Sequence, residues 1–207
     1  MSCQRGLRGL YVITDDTLTP DNTIYKQVEQ TLEGGASIIQ LRDKKNSDEI
    51  IKQKATLLQK LCKQFDTLFV LNDKIDLAIE LGCDGLHIGK SDHYKFEQIR
   101  KDFKGIIGVS CYGDIELAKK FEDMGADYVA FGSFFSSPTK PDSNIVELKI
   151  ISDAKDKLNI PVCAIGGINS DNIDEVMEHN PDMVSIISDI WNAEDLKQRS
   201  CFYKNKF

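Results

Sequence analysis

Short apolar runs and longer amphipathic stretches alternate along the whole chain. The clearest unit is LFVLNDKIDLAIELGCDGLHIGKSD, residues 68–92. An apolar run at 68–71 stops at Asn72-Asp73. A helical pattern carried by Ile75, Leu77, Ala78, Ile79 and Leu81 follows and stops at Gly82, and a second short run, 85–88, leads into Gly89 and Asp92. Strand–helix–strand units of this kind cross over right-handed and set their strands parallel, so both aspartates reach the same edge of the sheet. Two carboxylates there suit Mg²⁺, which takes oxygen ligands and keeps several waters. The competing reading is an Asp73 that caps the following helix and an Asp92 in a solvated turn.

The same rhythm predicts strands at 10–14, 37–41, 105–109, 127–131, 161–165 and 183–187 beside those at 68–71 and 85–88. Helical patterns cover 23–33, 47–63, 75–81, 93–102, 114–124, 145–158, 170–179 and 192–199. Gly34-Gly35, Gly82 and Gly125 read as helix stops, and Ser47 and Ser170 as N-caps. Eight strand–helix pairs at a period of about 25 residues imply a parallel sheet covered by helices. With no linker or low-complexity tract between them, they predict one domain over residues 1–207, a single (β/α)₈ TIM barrel. The alternative, a doubly wound open sheet, calls for a glycine-rich fingerprint after the first strand, where the chain reads TDDTLTP.

Composition narrows the partners. The 207 residues, 41% hydrophobic, suffice for a full core. A formal net charge of −7 argues against nucleic acid or an anionic membrane, while leaving room for a small anion on a local basic cluster. No apolar run reaches membrane-spanning length and MSCQRGLRGLY lacks a signal-type apolar segment, so the expected location is the cytoplasm. The six cysteines (3, 62, 83, 111, 163, 201) include no C-x-x-C pair, which favours reduced core thiols over disulfides or a zinc site. A homo-oligomer is compatible with the sequence.

Active sites of such barrels form at the C-terminal ends of the strands, so chemistry is sought there. The second strand ends QLRDK, and alternation turns Gln40, Arg42 and Lys44 the same way. An amide and two cations suit a substrate with a polar ring and a phosphate chain; a solvated basic strand end is the alternative. The third strand adds Asn72 and Asp73, the turn after the fourth adds Asp92, and the fifth ends at Ser110, which serves equally as a helix cap. After the sixth strand, Ser137, Thr139 and Lys140 offer donors to phosphate oxygens. Gly166-Gly167 and Ile187-Ser188 follow strands seven and eight, where barrels recurrently bind phosphate through backbone N–H groups. His87 lies within a strand and reads as a hydrogen-bonded core residue, His93 and His179 as surface helix residues. Trp191 and Phe134-Phe135 read as packing groups, and Tyr11 as a lesser candidate for the pocket lining.

Taken in order, QLRDK (40–44), ND (72–73), DGLHIGKSD (84–92), GVS (108–110), GADYVAFG with its TK tail (125–140), AIGGI (164–168) and VSIIS (184–188) resemble the thiamine phosphate synthase family across nearly the whole chain. The resemblance implies a (β/α)₈ enzyme, a transferase. Such enzymes join hydroxymethylpyrimidine pyrophosphate to thiazole phosphate, making thiamine phosphate and releasing pyrophosphate with the help of one Mg²⁺. It further implies that Asp73 and Asp92 hold the metal and that Arg42, Lys44, Asn72 and Lys140 grip the pyrophosphate. Gln40 would stand near the pyrimidine and Ser110 at the leaving group, while Ser137, Thr139, Gly167, Ile187 and Ser188 take the thiazole phosphate. Two departures stand out. Lys90 occupies the place of Gln in the family's H-x-G-Q-x-D, and Ser137 that of a usual Thr. A related thiazole tautomerase, a phosphosugar isomerase or epimerase, and a non-catalytic phosphate-binding barrel are the competing functions. The complete pyrophosphate-and-metal set favours the synthase over the first, and the lack of a strand-end acid/base pair disfavours the second.

Overall fold

The computed structural model describes residues 6–136 and 144–207. Eight parallel strands follow one another around a closed barrel in chain order. They are β1 (Gly9–Ile13), β2 (Ile38–Leu41), β3 (Leu68–Asn72), β4 (Gly85–Ile88), β5 (Ile106–Tyr112), β6 (Tyr128–Phe131), β7 (Val162–Ile165) and β8 (Met183–Ile186). The ring closes where Leu10 pairs with Val184 and Tyr11 with Ser185.

Between the strands run α1 (Ile24–Glu33), α2 (Asp48–Gln64), α3 (Ile75–Leu81), α4 (Phe96–Asp102), α5 (Ile115–Asp123), α6 (Lys149–Lys157) and α7 (Ile173–Met177). The short α8 (Ser188–Trp191) and then α9 (Leu196–Lys204) come after β8.

Side-chain alternation splits the core in two. Tyr11, Ile38, Val70, Tyr128, Cys163 and Met183 form a compact cluster inside the barrel. Their strand neighbours, among them Val12, Ile39, Leu71 and Val129, pack outward beneath the helices. Strands buried on both faces need apolar residues at nearly every position, hence the continuous runs in the sequence. One interior position must be empty for another to be filled: a Cβ on Gly108 would lie 1.9 Å from Cζ of Tyr128.

The N-terminal rim repeats one device. Asp84, Asp127 and Asp182 each stand just before an even-numbered strand. Their carboxylates accept the N–H groups of Phe69, Ile107 and Val162, near the start of the preceding strand, at 2.8–3.1 Å. Side-chain acceptors thus extend the ladders where backbone pairing begins.

Several boundaries differ from expectation. β5 runs on through Ser110 to Tyr112, with an irregularity in its pairing to β6 between Ser110 and Tyr112. Residues 90–95 form a 3-10 turn before α4, so His93 lies half-buried against Phe121 rather than on a surface helix. α6 starts at Lys149, not at 145, and α7 is one short turn. Asn172, not Ser170, stands at the N-cap of α7, and Ser170 Oγ instead accepts from Arg199. The last predicted helix is two elements. α8 ends by Asn192, and α9 starts anew at Asp195, whose carboxylate accepts the Gln198 N–H. His179 pairs with Ser152 through Nδ1. Trp191 is buried as expected, its Nε1 donating to the Ile13 carbonyl at 2.6 Å.

Candidate active site

β2 ends at Leu41, and the loop after it is held by Asp43. That carboxylate is 3% exposed, accepts the backbone N–H groups of Lys45 and Asn46, and pairs with Lys54. Burial alone would weaken it as an acid, yet the hydrogen bonds from Lys54, Asn46 and Lys45 outweigh burial and hold Asp43 far below the usual carboxylate range. The third residue of LRD thus anchors the loop. Arg42 is half-buried, its backbone N–H donating to Thr14 Oγ1, and no described group pairs with its guanidinium. Lys44 is exposed and reaches Asp73, Nζ to Oδ2 3.5 Å.

Asp73 leaves β3 with a φ of +60°, a conformation that L residues rarely adopt, and its N–H donates to the His87 carbonyl at 2.9 Å. Lys74 is the N-cap of α3, with no side-chain capping bond, so the Asp73 carboxylate is not spent on the helix. Gly89 lies between the two acidic residues. A Cβ there would meet Asp73 Oδ1 at 3.9 Å, and its carbonyl accepts the Asp92 N–H at 3.0 Å. Burial pulls the Asp92 carboxyl up, but hydrogen bonds from Lys95 and Ser91 prevail and keep it below its ordinary value, hence ionised at neutral pH. Lys90 opens the 3-10 turn with its side chain exposed, and no described group pairs with its ammonium. Among the described residues no three His, Cys, Asp or Glu gather as a metal cage. Two oxygen-donating carboxylates fit the sparser set that Mg²⁺ takes when substrate phosphates and water complete its shell.

Ser110 does not cap a helix; Asp114 does that for α5. Instead Ser110 ends a hydrogen-bonded chain through the barrel interior. Gln40 Nε2 donates to Tyr11 Oη at 2.7 Å, Tyr11 and Tyr128 hydroxyls are 2.8 Å apart, Tyr128 Oη is 2.9 Å from His87 Nδ1, and His87 Nε2 is 2.9 Å from Ser110 Oγ. Gln40 and His87 are buried, and the ring of Tyr128 stacks on His87 at 5.6 Å. Periodicity gives Tyr128 no special place. Its only signal is a tyrosine at an inward position of a strand, where apolar residues are the rule.

On the far side of the mouth, Gly166 and Gly167 adopt φ of +105° and +69°. A Cβ on either would strike Ser133 or Phe135, so the turn after β6 lies directly on the turn after β7. Phe134 and Phe135 both donate to the Gly166 carbonyl. The N–H groups of Gly167 and Ile187 make no hydrogen bond to a described residue, and Ser188 opens α8 beside them. Ser137, Thr139 and Lys140 lie outside the described residues. The buried thiols offer no nucleophile: burial pushes Cys111 up to about 12 and Cys163 higher still.

Comparison with known proteins finds relatives along nearly the whole chain. The profile described as thiamine monophosphate synthase matches residues 10–190. The thiamine-phosphate synthase of Wolinella succinogenes is 44% identical over 189 residues, covering 90% of this chain and 87% of that protein. The same-named protein of Picrophilus torridus is 42% identical, with 90% of each chain covered. Among solved structures, thiamine phosphate pyrophosphorylase from Pyrococcus furiosus superposes with a TM-score of 0.88 at 33% identity, over 98% of this chain and 96% of the other. With a profile match spanning most of its length and relatives well above 30% identity, the chain belongs to the thiamine monophosphate synthase family.

Proposed function

We propose that the chain is a transferase that joins hydroxymethylpyrimidine pyrophosphate to thiazole phosphate, giving thiamine phosphate and pyrophosphate, and that residues 1–207 act as one catalytic barrel. The observation that carries this reading is the grouping of Lys44, Asp73, Gly89, Asp92 and the buried Gln40–Ser110 chain at one end of the barrel. That is a cation-and-carboxylate set for a pyrophosphate beside an amide for a polar ring.

In this reading the methylene C–O bond of the pyrimidine substrate breaks, and its electron pair leaves with pyrophosphate. The pyrimidine amino group feeds electron density to the carbon left behind, and the thiazole nitrogen lone pair then forms the new C–N bond. Arg42, Lys44, Asn72, Ser110 and Lys140 hold and neutralise the departing group. Asp73 and Asp92 are the residues that would hold Mg²⁺, which when bound supplies positive charge against the phosphate oxygens. Gly167, Ile187 and Ser188, with Ser137 and Thr139, take the thiazole phosphate. The attacking nitrogen carries no proton to remove, so no general base is needed, in keeping with buried, protonated thiols and phenols in the barrel.

Asp73→Ala tests the metal assignment. The variant is expected to fold with an unchanged circular dichroism spectrum and lose at least about a hundredfold in Mg²⁺-dependent turnover, on the scale of removing one strong charge-stabilising group. Turnover within a few-fold of the parent would reject it.

A further inference from the structure

The interior chain fixes more than positions. Five side chains from five strands meet end to end, and each contact carries a single proton between two heavy atoms. The Gln40 amide donates to Tyr11, so the Tyr11 proton must go to its other neighbour, Tyr128. Tyr128 then has one acceptor left for its own proton, Nδ1 of His87. Burial makes both phenols far weaker acids than usual, so both stay protonated and able to donate. A histidine that accepts at Nδ1 is neutral, and its ring proton sits on Nε2, 2.9 Å from Ser110 Oγ. Ser110 thereby receives a hydrogen bond, and its own proton turns away from His87.

We propose that Gln40, Tyr11, Tyr128 and His87 form a one-way donor chain that presents the Ser110 hydroxyl to the mouth as a hydrogen-bond donor. Tyr11, Tyr128 and His87 are then positioning residues for departure of the pyrophosphate. The role rests on the activity proposed above; the direction of the chain does not. A donor already set toward developing negative charge needs no reorganisation as the C–O bond breaks. The same orientation leaves the Gln40 carbonyl oxygen, which takes no hydrogen bond from a described residue, as the acceptor offered to an amino-bearing ring. The space that Gly108 leaves for the Tyr128 ring is part of the device, since any side chain there would displace the central hydroxyl.

The test is the tautomer of His87, read from long-range ¹H–¹⁵N ring correlations of labelled full-length protein without substrate and assigned by the signal missing in His87→Gln. The expected pattern is a neutral ring protonated at Nε2. In Tyr128→Phe, which keeps the ring stacked on His87 but removes the hydroxyl, the tautomers should mix. Its kcat should fall about tenfold, the scale of one buried hydrogen bond, with KM for the pyrimidine substrate nearly unchanged. A purely structural Tyr128 would shift neither the tautomer nor kcat. Protonation at Nδ1 in the parent protein would overturn the proposal, because the chain would then run from Ser110 to Gln40. That spectrum decides the direction even if the variant fails to fold. An unchanged kcat in a folded Tyr128→Phe would overturn the positioning role. Nε2 protonation in a protein that releases no pyrophosphate would instead strike the activity, and with it the role assigned to Ser110.

Discussion

Asp43 separates two jobs within one five-residue motif. Among the described residues no side chain pairs with Arg42, and Lys44 reaches only Asp73, at 3.5 Å, whereas Asp43 is buried and takes hydrogen bonds from two backbone N–H groups and from the side chains of Asn46 and Lys54. Asp43→Asn would set an amide N–H against the donors of Lys54 and Asn46, and should cost about 3 kcal/mol, as breaking a buried pair does. Because the folded protein holds this carboxyl below its ordinary value, its contribution is present above about pH 4 and is lost as pH falls below that. Chemical denaturation across pH 3–7 should therefore show the parent losing stability on acidification and the variant lacking that component. Equal slopes would refute the assignment.

Elements show where sequence reading succeeded and where it ran short. Each strand was legible because burial on both faces demands an unbroken apolar run, and the carboxylates at 73 and 92 were legible because strand ends in a parallel barrel share one face. The ends of β5 and β8 were not. Ser110-Cys111-Tyr112 continues β5 beyond the apolar run that marked it, with Cys111 buried in the core and the pairing to β6 irregular there. α8 is too short to show a period, although Asp195, a good N-cap, marked the true start of α9. The role of Tyr128 was hidden because a buried polar chain depends on which five strands meet, which periodicity does not encode. The aspartates before β4, β6 and β8 were equally invisible as a set. Asp127 accepts from the Ile107 N–H and pairs with Arg100 at 2.9 Å, so Asp127→Ala should destabilise by about 2 kcal/mol. With β5 and β6 loosened, thermal unfolding should shift down by several degrees. An unchanged midpoint would show that backbone pairing alone sets the rim.

For the whole molecule, a closed barrel gathers cationic loop residues beside the Asp73 and Asp92 carboxylates at one end of an acidic chain. Net charge is −7, yet Arg42, Lys44 and Lys90 lie on loops that leave β2 and β4 at one end. No helix among the described residues is long and apolar enough to cross a membrane. The most direct test of the central claim is pyrophosphate release by purified full-length protein, with Mg²⁺ and with each substrate alone or both together. The account predicts release that requires both hydroxymethylpyrimidine pyrophosphate and thiazole phosphate, stops on addition of EDTA, and is matched by equimolar thiamine phosphate. Absence of release while thiazole phosphate still binds would contradict it and leave the barrel as a tautomerase or a phosphate-binding protein.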